Sequence, residues 1–139
     1  MDIRAFKMDG LGNDFVIIDN RQKITNLTKD QIIKICDRNF IGCDQLIFIE
    51  SSKSSDANLK FFNSDGGESG ACGNGTRCVA KLISEETKTE NIILSTSNGN
   101  LESKILDKQH TLYHFHKLQT YFHLNYKILN QHRTHLSGS

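Results

Sequence analysis

The chain has 139 residues, 37% of them hydrophobic and 24% charged, with 17 Lys and Arg against 16 Asp and Glu, six His, four Cys, ten Gly and neither Pro nor Trp. That is enough for one domain, holds no run approaching the roughly 20 apolar residues of a membrane span, and its net charge of +1 lacks the basic excess typical of nucleic-acid-binding domains. Residues 1–7 have no uninterrupted apolar core of an export signal, so the expected setting is the cytoplasm, with Cys36, Cys43, Cys72 and Cys78 as free thiols.

In chain order, residues 3–8 alternate apolar and polar side chains and residues 15–19 are a short β-branched run, which predicts two strands around the glycine-rich turn 9–14. Thr28-Lys29-Asp30-Gln31 has the spacing of a capping box, and Ile32, Ile33, Ile35 and Cys36 then supply a helix with an apolar face through about residue 39. Residues 45–50 and 57–63 read as a hairpin split by the polar loop 51–56. The stretch 64–76 carries too much glycine for any regular element. Residues 77–83 read as a helix, and residues 92–96 and 100–106 as a hairpin across Ser97-Asn98-Gly99. The expected fold is therefore α/β of the α+β type, a mixed or antiparallel sheet wrapped around the helix that follows Cys72.

The composition changes abruptly after Asp107. All six His and all three Tyr lie beyond it, with four basic residues and no acid, so residues 1–107 carry −3 and residues 108–139 carry +4. The later segment has no clean helical or alternating period. It reads as a basic, His-rich interaction tail or as sequence never selected to fold, and a reading-frame change near residue 107 is preferred. The division expected is a domain over 1–107 followed by an atypical, frameshifted or disordered tail over 108–139.

The four cysteines are separated by seven, twenty-nine and six residues, so none forms the close C-x-x-C type of pair found in structural zinc sites, and no metal is expected. Cys72 differs from the others in lying among glycines where a loop enters a helix. Free backbone N–H groups and the helix dipole favour negative charge there, which would make Cys72 a thiolate base or nucleophile. Gly73 and Asn74 would offer amides to a bound carboxylate. Phosphate is the rival anion, but no Lys follows in P-loop order. A buried structural cysteine is the alternative reading.

Four ordered blocks, FKMDGLGNDF at 6–15, RNFIGCDQ at 38–45, FFNSDG at 61–66 and residues 68–78 around Cys72-Gly73-Asn74-Gly75-Thr76-Arg77-Cys78, closely resemble the amino-terminal half of diaminopimelate epimerase. The resemblance covers residues 3 to about 105. It implies one half of a two-domain fold and a cofactor-independent enzyme interconverting LL- and meso-diaminopimelate on the route to lysine and peptidoglycan. Two cysteines, one per domain, would act from opposite faces of the substrate, because inversion needs a base and an acid on opposite sides of a planar carbanion. By the same resemblance Cys72 matches the amino-terminal catalytic cysteine. Asn13, Gln45 and Asn63 match substrate-binding positions, and Gly73-Asn74 match the backbone pair that holds the α-carboxylate. Taken alone, Asn13 could simply serve a turn, and Gln45 and Asn63 could be strand-end caps.

Three departures stand out. Cys43 occupies a position usually Ala in that family, Gly70-Ala71 replace the usual Glu-Met, and the second domain with its own cysteine has no counterpart. Cys36, Cys43 and Cys78 are expected to be structural. The second half would come from a separate chain or a homodimer. Other readings are an inactive remnant, a carboxylate-binding module, or a related cysteine-pair amino-acid racemase or isomerase. The substrate is expected to be a small amino acid, with no nucleic-acid or membrane partner.

Overall fold

The computed structural model describes residues 2–10, 12–22, 24–105 and 120–125. The elements are β1 (Asp2–Gly10), β2 (Asn13–Asp19), α1 (Lys29–Cys36), β3 (Gln45–Glu50), β4 (Ala57–Asn63), β5 (Glu68–Ser69), α2 (Gly73–Thr87), β6 (Asn91–Thr96), β7 (Gly99–Lys104) and β8 (Thr120–Asn125). They form a mixed sheet in the order β7-β6-β4-β3-β2-β1-β8, with β5 added on β4. The β2–β3 and β4–β6 pairs are parallel and each is bridged by a helix, since a parallel return needs a crossover. All other pairs are antiparallel. The expected α+β fold is the observed one.

Alternation along the strands sorts the apolar residues onto two faces. Phe6, Met8, Phe15, Ile17, Ile47, Ile49, Leu59 and Phe61 pack against Cys78, Val79, Leu82 and Ile83 of α2. Ala5, Val16, Ile18, Leu46 and Phe48 pack against Ile32, Ile35 and Cys36 of α1. Strands β2 and β3 are buried on both faces, which is why their sequences are continuous apolar runs instead of alternating ones.

Three local expectations are corrected. The first helix stops at Cys36, short of residue 39, because Asp37 turns to an extended conformation (φ −63°, ψ 125°) while its N–H still caps the carbonyls of Ile33 and Lys34. Ile33, assigned to the apolar face, is 38% exposed. The stretch 64–76 is not free of regular structure, since it holds β5 and the first turn of α2. Gly75 belongs in that helix for a packing reason: a Cβ there would stand 2.7 Å from Ile47 Cδ1 and 3.1 Å from the Phe61 ring. Of the segment beyond Asp107, only β8 lies within the described residues. It pairs antiparallel with β1 from Asp2↔Asn125 to Lys7↔Thr120. The remaining expectations for residues 108–139 fall outside them.

Candidate active site

Asn13 opens β2, Gln45 opens β3 and Asn63 closes β4, and the registers Phe15↔Gln45 and Gln45↔Asn63 bring all three to one end of the sheet. Because side chains alternate along a strand, each shares the face of Phe15, Ile47 and Phe61, the face that carries α2. Helix α2 begins over that same end. Asn74 Nδ2 donates to Asn13 Oδ1 at 2.9 Å, and Gln45 Nε2 donates to Asn63 Oδ1 at 3.0 Å. The structure therefore brings together Asn13, Gln45, Asn63, Gly73 and Asn74 from four separate stretches of sequence, with Cys72 immediately before the helix.

Cys72 is the N-cap residue (φ −113°, ψ 121°), and its side chain makes no capping hydrogen bond. Its carbonyl accepts from the Thr76 N–H at 2.9 Å and from the Thr76 hydroxyl at 2.8 Å, which fixes the first turn without engaging the thiol. The N–H groups of Gly73, Asn74 and Gly75 have no intrahelical partner by the geometry of a helix start. No acidic side chain sits in that turn to occupy them. Negative charge beside this end is favoured by the helix dipole.

Of the four cysteines only Cys72 is not buried. Cys78 lies one and a half turns along α2 in the core, where burial, with the charges of Asp9 and Cys72 adding to it, pushes its thiol up to about 12. It stays protonated near neutral pH. Cys36 and Cys43 are on the opposite face of the sheet. Among the described residues no group of three or more His, Cys, Asp and Glu could hold a metal ion, and no helix is long and apolar enough to cross a membrane.

A charged network that the sequence reading did not single out holds the Asn13 amide. Asp44 Oδ2 accepts from Asn13 Nδ2 at 3.3 Å and from the Asp14 N–H at 3.1 Å, while Asp44 Oδ1 accepts from Arg38 Nη2 at 2.9 Å. Asp14 in turn accepts from Arg38 Nη2 at 2.8 Å and from the Asp44 N–H at 2.9 Å, and pairs with Lys7 at 3.2 Å. The Arg38 guanidinium holds the Asp14 carboxyl well below the usual carboxylate range, against the opposing effect of burial and with Lys7 assisting. A carboxylate only accepts hydrogen bonds, so Asp44 turns the Asn13 NH₂ toward itself and the carbonyl toward Asn74. Arg38 and Asp44 lie within the 38–45 block, but Asp14 is 24 and 30 positions away from them, and only the β2–β3 pairing reveals that they meet.

The family model described as diaminopimelate epimerase matches residues 5–120. A diaminopimelate epimerase of Pelagibacter ubique is 70% identical over 106 residues, covering 76% of this chain and 39% of that protein. One from Phenylobacterium zucineum is 45% identical over 96 residues, covering 68% and 35%. The chain thus spans about two-fifths of the length of the curated relatives it matches. Among solved structures, a phenazine biosynthesis protein of the PhzF family from Bacillus anthracis superposes with a TM-score of 0.58 at 23% identity, over 75% of this chain and 36% of that one. A hydroxyproline epimerase from Agrobacterium vitis gives 0.55 at 11%, over 73% and 36%. At those identities the structural likeness speaks for the fold alone.

Proposed function

The chain belongs to the diaminopimelate epimerase family, and from that premise we propose that residues 1–107 form the amino-terminal half-site of a cofactor-independent epimerase interconverting LL- and meso-2,6-diaminopimelate in the cytoplasm. The observation that carries the reading is the half-buried Cys72 at the start of α2, above the strand ends where Asn13, Gln45, Asn63 and Asn74 join by hydrogen bonds.

In this reading the substrate's α-carboxylate lies against the Gly73 and Asn74 amides, where the helix dipole also stabilises the charge that develops on the carboxylate as the α-carbon becomes planar. Cys72 removes or returns the α-proton from one side. Asn13, Gln45 and Asn63 bind the rest of the amino acid, with the Asn13 amide oriented by Asp44. Inversion requires a second acid on the far side. Cys36, Cys43 and Cys78 are all buried and cannot supply it, so a second copy of the chain, a separate second half or a longer form of the protein must. Residues 108–139 are read as a separate stretch that entered through a frame change, even though part of it supplies β8; translating the coding DNA past Asp107 in the other two frames tests this. If neither frame yields the start of a second domain, the frame-change reading fails.

The function is tested by incubating the chain with meso-diaminopimelate in deuterated buffer, alone and mixed with the carboxy-terminal part of the Pelagibacter ubique relative, following α-deuterium uptake and isomer ratio. The chain alone gives no LL isomer. The mixture gives uptake with inversion, and Cys72→Ser abolishes both while leaving the fold intact. A folded, associated mixture that exchanges nothing would overturn the catalytic reading and leave a carboxylate-binding module.

A further inference from the structure

Cys36 ends α1 and Cys43 lies two residues before Gln45, on the face of the sheet away from the candidate active site. Both are buried, and Cys43 Sγ donates to Cys36 Sγ at 3.3 Å. Their backbones are paired as well. The Cys43 N–H donates to the Cys36 carbonyl at 3.2 Å and the Gly42 N–H to the Ile35 carbonyl at 2.9 Å, so the return after α1 lays the two residues side by side. A disulfide needs its sulfurs about 2.05 Å apart. From this contact the two sulfurs have little more than an ångström to close.

The two thiols are not equivalent. The hydrogen bond from Cys43 lowers the pKa of Cys36, against burial and with the Arg38 charge assisting. The same bond, together with burial, raises that of Cys43. The next residue, Asp44, bridges Arg38 to Asn13. A covalent tie at Cys43 therefore acts one residue from the group that orients a candidate binding residue.

We propose that Cys36 and Cys43 are a dithiol site oxidised by hydroperoxides, whose disulfide anchors the loop between α1 and β3 and shifts the contact of Asp44 with Asn13. The Cys36 thiolate attacks a peroxide oxygen. The O–O bond breaks, hydroxide leaves and takes a proton to become water, and Cys36 becomes a sulfenic acid. The Cys43 sulfur then attacks Cys36 Sγ, the S–O bond breaks, and the departing hydroxide takes the Cys43 proton. Two thiols and one hydrogen peroxide give one disulfide and two waters. The inference stands on the thiol geometry and does not depend on the epimerase reading.

The test treats the full chain with hydrogen peroxide, then denatures it in iodoacetamide and maps the cysteines by mass spectrometry. The expected product is a peptide bearing both Cys36 and Cys43 that has lost about 2 Da, two hydrogens, and is restored by dithiothreitol. In Cys43→Ala, Cys36 instead takes up iodoacetamide or over-oxidises. The wild-type map decides the chemistry even if that variant does not fold. In ¹H–¹⁵N spectra of Cys72→Ser, in which the site thiol cannot oxidise, the peroxide-treated protein shifts the amides of Asn13, Asp44 and Gln45 and leaves those of the β6–β7 hairpin in place. Cys36 and Cys43 both remaining alkylatable after Cys72 is fully oxidised, or a bridge to Cys72 or Cys78, would overturn the site and leave two thiols in apolar contact. A Cys36–Cys43 bridge that leaves Asn13 and Asp44 unmoved would overturn its effect.

Discussion

Gly75→Ala is the most informative single substitution, because it opposes two effects of known size. Alanine in a helix is favoured over glycine by up to about 1 kcal/mol, and less in a first turn such as this. Against it, the new methyl meets Ile47 Cδ1 at 2.7 Å, Phe61 Cε1 at 3.1 Å and Phe15 Cε1 at 3.3 Å. The Ile47 methyl is the flexible end of its side chain, but Ile47 and Phe15 are fully buried and Phe61 is 2% exposed, so none has room to withdraw. Overpacking of this kind costs about 1–3 kcal/mol. The net expectation is a loss of about 1–2 kcal/mol, or roughly 5–10 °C in Tm for a domain near 100 residues. Gly73→Ala is the internal control, since nothing lies within 4 Å of its added Cβ, and it should be neutral or stabilise by up to about 1 kcal/mol. Equilibrium urea unfolding measures both, as a change in midpoint at constant slope. A Gly75→Ala midpoint at or above that of the parent, or an equal loss in Gly73→Ala, would refute the claim that close packing on the sheet sets the height of this helix start.

Three further expectations follow from the same structure. Iodoacetamide at mildly alkaline pH should modify Cys72 and spare Cys78 until unfolding, since Cys78 is fully buried with its thiol pushed up to about 12; equal rates in the folded protein would contradict the packing of α2. Asp14 has its pKa lowered chiefly by Arg38, so its ionised form stabilises the fold above the unfolded value of about 4 and that contribution fades as pH falls below it. Asp14→Asn should lower stability modestly at pH 7, by about 1 kcal/mol or less because the Arg38 side chain is 58% exposed, and should flatten the acid decline; parallel pH curves would rule the ion pair out as its source. Thr28→Ala removes the hydroxyl that accepts from the Gln31 N–H at 3.2 Å and so breaks the capping box of the eight-residue α1, costing about 1 kcal/mol in urea unfolding.

Six strands were legible because their signals are local, among them alternation in β1, β-branched runs in β2 and β3, and a glycine turn between β6 and β7; β5, in a stretch read as too rich in glycine, and β8, in one without a clean period, were not. The start of α1 was legible for the same reason, as a four-residue capping box. Its end was not. Ile35 and Cys36 continue an apolar period that the backbone abandons at Asp37, because the chain must turn back through Gly42 at φ +83° to begin β3 in parallel with β2. The start of α2 was hidden by its glycines. Composition reads them as breakers, whereas Gly75 is needed by the rings beneath it. At the site, the residue types and the thiol at a helix entry could be read from sequence, and resemblance supplied their roles. The Arg38–Asp14–Asp44 network could not, because it depends on a pairing between strands thirty residues apart.

The order of the sheet has a consequence for how the chain assembles as it is made. From β1 to β7 each strand, β5 aside, is added to one growing side of the sheet, beside a neighbour already formed. Short turns or a single helix separate these partners, so each addition closes only a small loop. The β1–β8 seam is the exception: its narrowest pairing, Lys7 with Thr120, encloses more than a hundred residues. β1, the earliest made of the described strands, is therefore the last of them to be covered on its outer side. Throughout synthesis its free N–H and C=O groups are a template for any other extended chain. Arg4 and Lys7, charged residues on opposite faces of that strand, are well placed to discourage such pairing while it waits.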